Sequence, residues 1–534
     1  MRAERDWTEV TSIGAALARG AGRWPDRECV VFPDARRTYA ELYDGARRSA
    51  QSLLGLGIEP GERIGILMPN CLDFLETIFG ALLVGIPVLT INARFKTREL
   101  AHVLDEGDVV AVVTTDLVAD FVDFAALLES ACDDHLPPAL RHRIMLGTSS
   151  PASYVDRAAF EAVGAQAGGD VLDNAARIVR VREEALMMYT SGTTANPKGC
   201  PFAHEAIMRA AIAIVDRFEL TTEDRFWDPL PFYHLAGLEL FLSNLWAGST
   251  FVTQTHWDAG EGLRLMEEER CTWCYPTFPT FAQDMVHHPD FGRRDLSRVR
   301  ALNVIGTPEG LRGIQARFPN AVLVAPYGIT EGGGCVSFGR LTDPLDARMT
   351  TGGPPLDCTE VRVVDPDTDE DVPPGDVGEI VIRGAACCEG YYKDPEKTAV
   401  AWRGGWFHSG DLGRLDAEGR IAYVGRTKDM LKVGGENVAA LEIEDFLGTH
   451  PAVKLAQVVG IPDDRYMEVP AAFIELAPGA DTTEAELIEF CKGTIASFKI
   501  PRHIRFVTEW PMSATKIQKF RLQQQLLEEL LPTP

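Results

Sequence analysis

Hydrophobic and polar positions alternate along the chain in two patterns, one typical of strands and one typical of helices. Amphipathic stretches with helical spacing recur, and "YAELYDGARRSAQSLLGLG" at 39–57 ends at a glycine, as helices often do. Short, continuous apolar runs indicate buried strands between them, at 63–70, 109–115, 249–255, 300–306 and 321–328. This alternation predicts an α/β fold with two mainly parallel sheets and helices packed against them.

The pattern changes near residue 350. Short strands and turns follow, as in "EVRVVDPDTDEDVPPGDVGEIVIRG" at 360–384, and predict a small antiparallel, barrel-like β unit. After "GRTKDMLKVGG" a new α/β pattern begins, with a helix predicted in "NVAALEIEDFLGTH" and a strand in "AAFIELAP". We therefore place a domain boundary at Lys428, which gives a large N-terminal domain at 1–427 and a smaller α+β domain at 428–534.

Length and composition agree with this division. The 534 residues exceed the roughly 250–300 at which a single core stops growing. With 46% hydrophobic and 24% charged residues the chain has an ordinary globular composition. The most apolar run, "LDFLETIFGALLVGIPVLTI" at 72–91, contains Asp73, Glu76 and a proline, so it predicts a buried helix running into a strand, and no transmembrane segment is expected.

Charge and cysteine usage narrow the class of partner and the compartment. A net charge of -26 argues against a nucleic-acid partner, because phosphate backbones require a basic surface. Eleven cysteines without a repeated spacing, and an N-terminus without an apolar stretch, favour a reducing, cytoplasmic location. The CxxC pair Cys271 and Cys274 has no second pair or nearby histidine, so it is weak evidence for zinc.

A loop rich in hydroxyl groups follows the buried strand predicted at 186–189. It reads "TSGTTANPKG" at 190–199, and the glycine and hydroxyl groups suit phosphate oxygens, since both allow close donors. Lys198 adds a mobile positive charge, although the glycine after it makes a Walker-type P-loop unfavourable. Alone, such a loop is also compatible with a solvated turn. The candidate phosphate-binding residues are Thr190, Ser191, Gly192, Thr193, Thr194 and Lys198.

Several further stretches occur in a characteristic order: "TSGTTANPKG", "PFYHLAG", "YGITEG", "WFHSGDLG", "GRTKDMLKVGGENV" and "ASFKIPRHIRFV". Together they resemble the adenylate-forming (AMP-binding) superfamily of acyl-CoA and aryl-CoA synthetases, nonribosomal adenylation domains and firefly-type luciferases, over nearly the whole chain. The resemblance implies ATP-dependent activation of a carboxylic acid to acyl-AMP, then transfer to CoA. It also implies Mg²⁺, and a C-terminal domain that acts as a mobile lid rotating at Lys428.

The resemblance assigns roles around the nucleotide. The loop at 190–198 would hold the β- and γ-phosphates, Thr330 would contact the α-phosphate and Glu331 would bind Mg²⁺. Tyr327 would stack on adenine, followed by Gly328, with Gly306, Thr307 and Pro308 closing the other side. Asp411 would accept from both ribose hydroxyls, and Arg426 would reach the same ribose from across the hinge.

The resemblance also assigns roles in the two chemical steps. His234 would orient and gate at the mouth of the acyl tunnel. Lys516 would bridge the substrate carboxylate and the α-phosphate, and Gly434 and Gly435 in "KVGGENV" would replace it at the site for the second step. Two positions depart from the family pattern: Lys516 lacks the usual preceding glycine, which leaves Lys519 as an alternative, and Ala195 stands where another glycine is usual.

The acyl pocket is expected in stretches rich in Phe, Leu and Trp: "FYHLAGLELFLSNLWAG", "CTWCYPTFPTF" and "LNVIGTPEG". Acetate-using relatives carry tryptophan where this chain has Gly328, so we expect an open tunnel for a medium- or long-chain, alicyclic or aryl acid. Two alternatives stay open: an enzyme that loads a carrier protein, and a slow or non-catalytic binding homologue. A homodimer is also left open.

Overall fold

The computed structural model describes residues 11–133, 136–190, 197–427, 430–433, 436–463, 466–492, 494–513 and 516–530. In these ranges the helices are α1 Ile13–Arg23, α2 Tyr39–Gly55, α3 Leu72–Leu83, α4 Thr97–Glu106, α5 Phe124–Cys132, α6 Arg157–Gln166, α7 Gly169–Ile178, α8 His204–Phe218, α9 Leu235–Ala247, α10 Ala259–Glu268, α11 Pro279–His287, α12 Pro308–Arg317, α13 Leu345–Thr350, α14 Pro395–Ala401, α15 Ala440–Gly448, α16 Glu484–Cys491 and α17 Lys519–Leu530.

The strands in the same ranges are β1 Glu28–Val31, β2 Arg36–Thr38, β3 Arg63–Leu67, β4 Val88–Thr90, β5 Val109–Thr114, β6 His142–Met145, β7 Val155–Asp156, β8 Glu184–Thr190, β9 Lys198–Ala203, β10 Arg225–Trp227, β11 Thr250–Val252, β12 Trp273–Thr277, β13 Ala301–Val304, β14 Val322–Val324, β15 Pro326–Ile329, β16 Gly334–Phe338, β17 Thr359–Val364, β18 Gly378–Gly384, β19 Trp402–Arg403, β20 Trp406–Leu415, β21 Ile421–Arg426, β22 Met430–Val433, β23 Glu436–Ala439, β24 Val453–Asp463, β25 Met467–Leu476, β26 His503–Phe506, β27 Met512–Ser513 and β28 Lys516–Ile517.

Two seven-stranded sheets form the larger part of the fold. One has the order β14-β13-β12-β10-β11-β1-β2 and the other β7-β6-β5-β3-β4-β8-β9. Each is parallel except for one antiparallel edge pair, β1–β2 and β8–β9 respectively. Strands such as β3 and β5 are buried along their whole length, as expected of parallel strands covered on both faces. The predicted α/β fold with mainly parallel sheets is confirmed.

Local sequence signals account for several element boundaries. Helix α2 begins with a capping box, in which the Thr38 hydroxyl accepts from Glu41 N–H and the Glu41 carboxylate accepts from Thr38 N–H. It ends before Gly57, whose φ of +76° suits glycine. Residues 72–91 form the predicted helix and strand, α3 and β4, and both are largely buried because helices α1, α2 and α9 share the same core.

Antiparallel sheets make up the rest. The hairpin β15–β16 leads into a five-stranded antiparallel sheet of order β17-β18-β20-β19, with β21 beside β20, where the barrel-like unit is predicted. A smaller C-terminal domain follows, with the sheet β23-β22-β25-β24 and β26 beside β25. Helices α15 and α17 pack on β24, and α16 packs near β26. The predicted hinge residue Lys428 lies outside the described residues.

Two further expectations concern membrane and metal. Within the ranges given above, no helix combines the length and the apolar character needed to cross a membrane. Cys271 and Cys274 are both fully buried, and their sulfur atoms contact Leu265 O and Met266 Sδ respectively. The described part of the chain contains no group of three or more His, Cys, Asp or Glu placed to hold a metal ion.

Candidate active site

The two ends of the candidate phosphate loop lie on neighbouring strands. Thr190 is the last residue of β8, Lys198 is the first of β9, and the two residues pair directly across the antiparallel ladder. The loop between them is therefore anchored at both ends on the edge of a sheet. Its other predicted ligands lie outside the described residues, as does Ala195: Ser191, Gly192, Thr193 and Thr194.

Glu331 lies in a polar cluster with Tyr391 and Lys198, the residue at which β9 begins. A single 3₁₀ turn at Thr330–Gly332 follows β15 and leaves Glu331 only 7% exposed. The Tyr391 hydroxyl donates to Glu331 Oε1 at 2.9 Å, and Lys198 Nζ lies 4.5 Å from the centre of the Tyr391 ring. Burial and the nearby carboxylate raise the pKa of Tyr391, so its hydroxyl stays a donor. Tyr391 therefore links two residues that the sequence predicted separately.

Backbone hydrogen bonds fix this arrangement. The Cys388 N–H donates to the Glu331 carbonyl at 3.0 Å, and the Tyr392 N–H donates to the Gly199 carbonyl at 2.8 Å. The segment 388–392 thus holds Glu331 on one side and the strand that carries Lys198 on the other. Tyr391 was not predicted from the sequence, because "EGYYKDP" carries no motif that would separate it from an ordinary turn.

The residues near Glu331 suit Mg²⁺ only if other groups complete its coordination. One carboxylate and the neighbouring Thr330 hydroxyl are too few for an all-protein site, and no acidic group of three is available in the described ranges. Magnesium is commonly held by one or two carboxylates together with substrate phosphates and water. The donor set is therefore suited to a magnesium ion that arrives with a polyphosphate.

A second polar cluster joins Tyr327, Asp411 and Arg426. Asp411 and Arg426 oppose each other on the paired strands β20 and β21, and Arg426 Nε lies 2.8 Å from Asp411 Oδ1. The Tyr327 hydroxyl donates to Asp411 Oδ2 at 2.9 Å, and Asp411 is only 3% exposed. Arg426 thus approaches Asp411 from the neighbouring strand of the same sheet, and not from across the hinge as expected.

Asp411 is a carboxylate held between two neighbouring side chains. A carboxylate has several acceptor positions on its two oxygens, which suits a pair of vicinal hydroxyls. Tyr327 is itself buried, and its ring is stacked on Tyr423 at 6.2 Å and 24°. The hydrogen bond from Tyr327 to Asp411 was not predicted from the sequence, although both residues were.

The remaining predicted nucleotide contacts lie at the start of α12. Thr307 is the N-cap, and its hydroxyl accepts from Gly310 N–H at 3.0 Å, with Pro308 in the first helical turn. Gly306 is exposed, as is the side chain of Ile305, a large hydrophobic group at 41%. The Thr307 hydroxyl oxygen thus caps the helix as an acceptor, and its O–H is still able to donate.

Gly328 is exposed on the hairpin, but the reason for glycine there is local. It pairs with Cys335 beside a bulge, and a Cβ on Gly328 would lie 2.3 Å from the Gly334 carbonyl oxygen. Any side chain would therefore displace the backbone of the opposite strand. The glycine follows from the close approach of two strands, so the open-tunnel expectation needs support from other residues.

His234 lies at the N-terminal end of α9, where it is the N-cap, and it is half-buried. Its ring packs against Tyr233 at 4.8 Å between centroids. The same helix carries an almost continuous apolar face into the core, including Leu235, Leu238 and Phe241. The predicted gating histidine thus immediately precedes a buried apolar helix.

The C-terminal residues are only partly described. Lys516 opens β28, which pairs with β27 so that Lys516 lies opposite Ser513 and only two residues join the strands. Lys519 Nζ lies 2.6 Å from Glu444 Oε1, a buried carboxylate that also accepts from Val458 N–H. Lys519 is therefore engaged inside the C-terminal domain. Gly434 and Gly435 lie outside the described residues, and so does the Lys516 side chain.

Comparisons with known proteins identify the family to which this chain is similar. The AMP-binding enzyme family matches residues 17–392, and the C-terminal domain of AMP-binding enzymes matches residues 442–516. The mitochondrial medium-chain acyl-CoA ligase ACSF2 of Danio rerio is 32% identical over 98% of this chain and 89% of its own. The 3-[(3aS,4S,7aS)-7a-methyl-1,5-dioxo-octahydro-1H-inden-4-yl]propanoyl:CoA ligase of Mycobacterium tuberculosis is 31% identical over 97% of this chain and 99% of its own.

Among solved structures, the anthranilate CoA ligase AuaEII in complex with anthranoyl-AMP superimposes with a TM-score of 0.85. It is 25% identical, with 98% of each chain covered. The two seven-stranded sheets, the antiparallel unit and the smaller C-terminal domain are thus the fold of adenylate-forming enzymes. The chain belongs to the AMP-binding enzyme family, as the sequence motifs indicate, and it is a ligase of the acyl-CoA synthetase class.

Proposed function

We propose that this enzyme activates an apolar carboxylic acid with ATP to give acyl-AMP and pyrophosphate, and then transfers the acyl group to CoA with release of AMP. The observation that carries the proposal is the cluster of Glu331, Tyr391 and Lys198 beside the strand pair that anchors the phosphate loop. This cluster provides a carboxylate for a metal-bound polyphosphate and a cation for its charge. The relatives, which are acyl-CoA ligases, support the same reaction.

In the first step, the site must bring a carboxylate to a negatively charged phosphate. Lys198 and the loop donors would bind the β- and γ-phosphates, and Thr330 the α-phosphate, so that the charge is neutralised before attack. Glu331, oriented by Tyr391, would hold Mg²⁺, which when bound withdraws charge from the phosphate oxygens. Lys516 would contact the substrate carboxylate and the α-phosphate, which lowers their repulsion in the transition state.

The adenosine would be held by the second cluster. Asp411 would accept both ribose hydroxyls, while Arg426 and Tyr327 keep its two oxygens in place. The Tyr327 ring, with Gly328 beside it, would face adenine from one side and residues 306–308 from the other. These roles suit a carboxylate, because each of its two oxygens can accept a hydroxyl donor.

For the acyl group, we propose a medium- or long-chain, alicyclic or aryl acid. Helix α9 presents leucine and phenylalanine side chains behind His234, and Ile305 is exposed beside Gly306. One relative is named for medium-chain acids and another for a propanoyl group on a bicyclic dioxo ring. Each buried methylene would add about 0.8 kcal/mol to binding, so longer apolar acids are favoured over acetate.

A screen of carboxylic acids for CoA-dependent AMP release tests this function. We expect octanoate, benzoate-type or alicyclic acids to be used at least about tenfold better than acetate, given the methylene contribution above. ATP–pyrophosphate exchange with the same acids, measured without CoA, reports the first step alone. Exchange without CoA-dependent AMP release would instead indicate a carrier protein as acceptor, and no exchange with any acid would indicate a binding homologue.

We further propose that the chain is divided into domains at 1–427 and 428–534, with rotation at Lys428 between the two steps. The rotation would replace Lys516 at the site by the segment that holds Gly434 and Gly435. Proline fixes φ, so Lys428→Pro should restrict the rotation while leaving acyl-AMP formation intact. We expect thioester formation to fall by roughly 10- to 100-fold, measured from acyl-AMP and CoA, because gating then limits that step.

Lys428→Ala is the matched control for the hinge, since it removes the same side chain without restricting the backbone. It should leave both half-reactions within about threefold of the wild type, because alanine leaves the backbone free to rotate. Equal losses of both half-reactions in Lys428→Pro would contradict a hinge at this position.

A further inference from the structure

Helix α9 carries one acidic residue in an otherwise apolar, buried sequence. Glu239 lies five residues after His234 and is 0% exposed, among neighbours such as Leu238 and Leu240. A carboxyl group in such surroundings loses its hydration, so it costs free energy unless hydrogen bonds replace the water. The proposed catalytic mechanism gives Glu239 no role.

One oxygen of Glu239 is satisfied and the other is not. Glu239 Oε2 accepts from the Cys335 N–H at 3.2 Å, whereas Oε1 is buried and has no hydrogen-bond partner among the described residues. Buried polar atoms are rarely left unpaired in folded proteins, and such an atom requires an explanation. A ligand that supplies the missing partner is one such explanation.

The carboxyl lies next to the hairpin β15–β16, which carries Tyr327 and Gly328. Cys335 and Gly334 begin β16, which pairs with β15, so that Gly334 opposes Ile329 and Cys335 opposes Gly328. Gly334 has a φ of +88°, and a Cβ there would lie 2.6 Å from Glu239 Oε2. Gly334, which contacts the carboxyl, is half-buried, and Gly328 on the paired strand is exposed. The carboxyl therefore lies behind the exposed side of this hairpin.

The surrounding groups are also buried and polar. Tyr275 on β12 approaches Cys335, with its hydroxyl 3.8 Å from the Cys335 sulfur. Asp228, which follows β10, is fully buried and contributes electrostatically to both residues. Besides burial, the charge of Glu239 is one of the causes that raise the pKa of the nearby Cys358. Glu239 is thus part of a polar group of side chains within the apolar wall formed by α9, β12 and β16.

We propose that Glu239 determines acyl specificity, by donating a hydrogen bond from Oε1 to an oxygen atom on the acyl group of the substrate. The substrate class is a carboxylic acid that carries a keto or hydroxyl oxygen on its otherwise apolar body. This inference rests on the proposed acyl-CoA ligase function and names the part of the substrate that the wall of the acyl site recognises.

The protonation of Glu239 supports donation from Oε1. Burial raises the pKa of Glu239 to about 8, so the carboxyl is mainly neutral at pH 7. Since Oε2 accepts a hydrogen bond, the proton is placed on Oε1, which makes Oε1 a donor. Burial also raises the pKa of Cys335, Tyr275 and Asp228 well above their usual ranges and that of Cys358 to about 11.

A series of matched acids tests the proposal in the full-length enzyme. Medium-chain acids in which one methylene is replaced by a carbonyl at successive positions are compared with the parent acid by ATP–pyrophosphate exchange. We expect one position of the carbonyl to raise kcat/KM roughly ten- to hundredfold over the parent, since a buried donor then gains its acceptor. Glu239→Leu should abolish that preference and lower the KM for the parent acid.

Two further variants separate recognition from folding. Glu239→Gln keeps an acceptor for the Cys335 N–H and a donor in place of Oε1–H, so it should retain most of the preference. Glu76→Gln changes a half-buried carboxyl on α3, a helix that packs against α1 and α2. It should leave kcat/KM unchanged for both the oxo acid and the parent acid. Thermal unfolding of each variant, measured alongside, shows whether the fold is intact. Glu239→Leu removes the unpaired Oε1 but leaves the Cys335 N–H without its acceptor, so these two effects oppose each other and its unfolding transition should stay cooperative.

The pH dependence gives a second readout that a structural role would not move. The carboxyl is neutral below its pKa and ionised above it, so the preference for the oxo acid should be present at pH 6–7 and fall as pH rises through about 8. In Glu239→Gln the preference should not vary over this range. A preference for amine-bearing acids already present at pH 6 would overturn the proposal, because it would show an ionised acceptor at Glu239 below its pKa.

The outcomes distinguish this proposal from the function it rests on. Equal kcat/KM for every oxo acid and its parent, unchanged in Glu239→Leu, would overturn the role of Glu239 while leaving the ligase activity established. Absence of exchange with all acids would instead overturn the proposed function.

Discussion

Replacing Lys516 by alanine is expected to abolish synthesis of acyl-AMP from acid and ATP, while conversion of supplied acyl-AMP to the thioester continues. The proposed role of Lys516 is to cancel the repulsion between two anions in the first transition state, and such a contribution is worth roughly 10²- to 10³-fold in rate. The second step has no such repulsion, because the α-phosphate already carries the acyl group. ATP–pyrophosphate exchange and thioester formation from acyl-AMP measure the two steps separately.

Lys519→Ala is the informative comparison, because it removes the alternative lysine. Lys519 forms an ion pair with the buried Glu444, so its loss leaves a carboxylate without its cation. We expect a lower unfolding temperature, with both half-reactions reduced together and by less than about tenfold. If Lys519→Ala selectively lost the first step and Lys516→Ala did not, the proposed assignment of the lysine would be wrong.

The fold could be predicted to a large extent because its signals are local. The continuous apolar runs at β3 and β5 specify strands that are buried on both faces, and the Thr38–Glu41 pair marks the start of α2. The sheet order could not be predicted in this way. The pairing of β1 with β11, for example, joins residues about 220 positions apart, and no local pattern in either strand specifies its partner.

The site residues also fall into two groups: those that a local motif predicts, and those whose role depends on contacts with distant residues. Asp411, Glu331, Lys198 and Tyr327 were predicted from motifs, and the structure brings Tyr327 to Asp411 and Lys198 close to Glu331 through Tyr391. Tyr391 and Glu239 could not be predicted, because their importance comes from contacts with distant residues. Glu239 in particular occupies a position that an apolar helix would ordinarily fill with leucine, and only its burial reveals the difference.

Gly328 shows that a glycine in a motif can have more than one explanation. From the sequence, the missing side chain was interpreted as space for a substrate. In the structure, the Gly334 carbonyl oxygen occupies the direction in which a Cβ of residue 328 would point. A glycine can therefore serve the packing of two strands and leave an exposed surface at the same time. The sequence alone does not separate these two reasons.

Glu331→Gln is expected to lower acyl-AMP formation by roughly 10²- to 10³-fold and to raise the magnesium concentration needed for half-maximal exchange. The amide keeps the size of the side chain and an acceptor for the Tyr391 hydroxyl, so the fold around it should be retained. What it removes is the negative charge that Mg²⁺ requires beside the phosphates, a contribution of several kcal/mol in the transition state. Exchange measured over a range of MgCl₂ concentrations gives both quantities.

Two variants show whether the carboxylate itself is responsible. Glu389→Gln makes the same substitution at an exposed position within the segment 388–392, and it should leave exchange unchanged. Tyr391→Phe keeps the Glu331 charge and removes only the hydrogen bond that orients it, so we expect a loss of about tenfold with little change in the magnesium requirement. If Glu331→Gln and Tyr391→Phe were equally active and equally dependent on magnesium, Glu331 would be a structural partner of Tyr391 and not the residue that holds the metal.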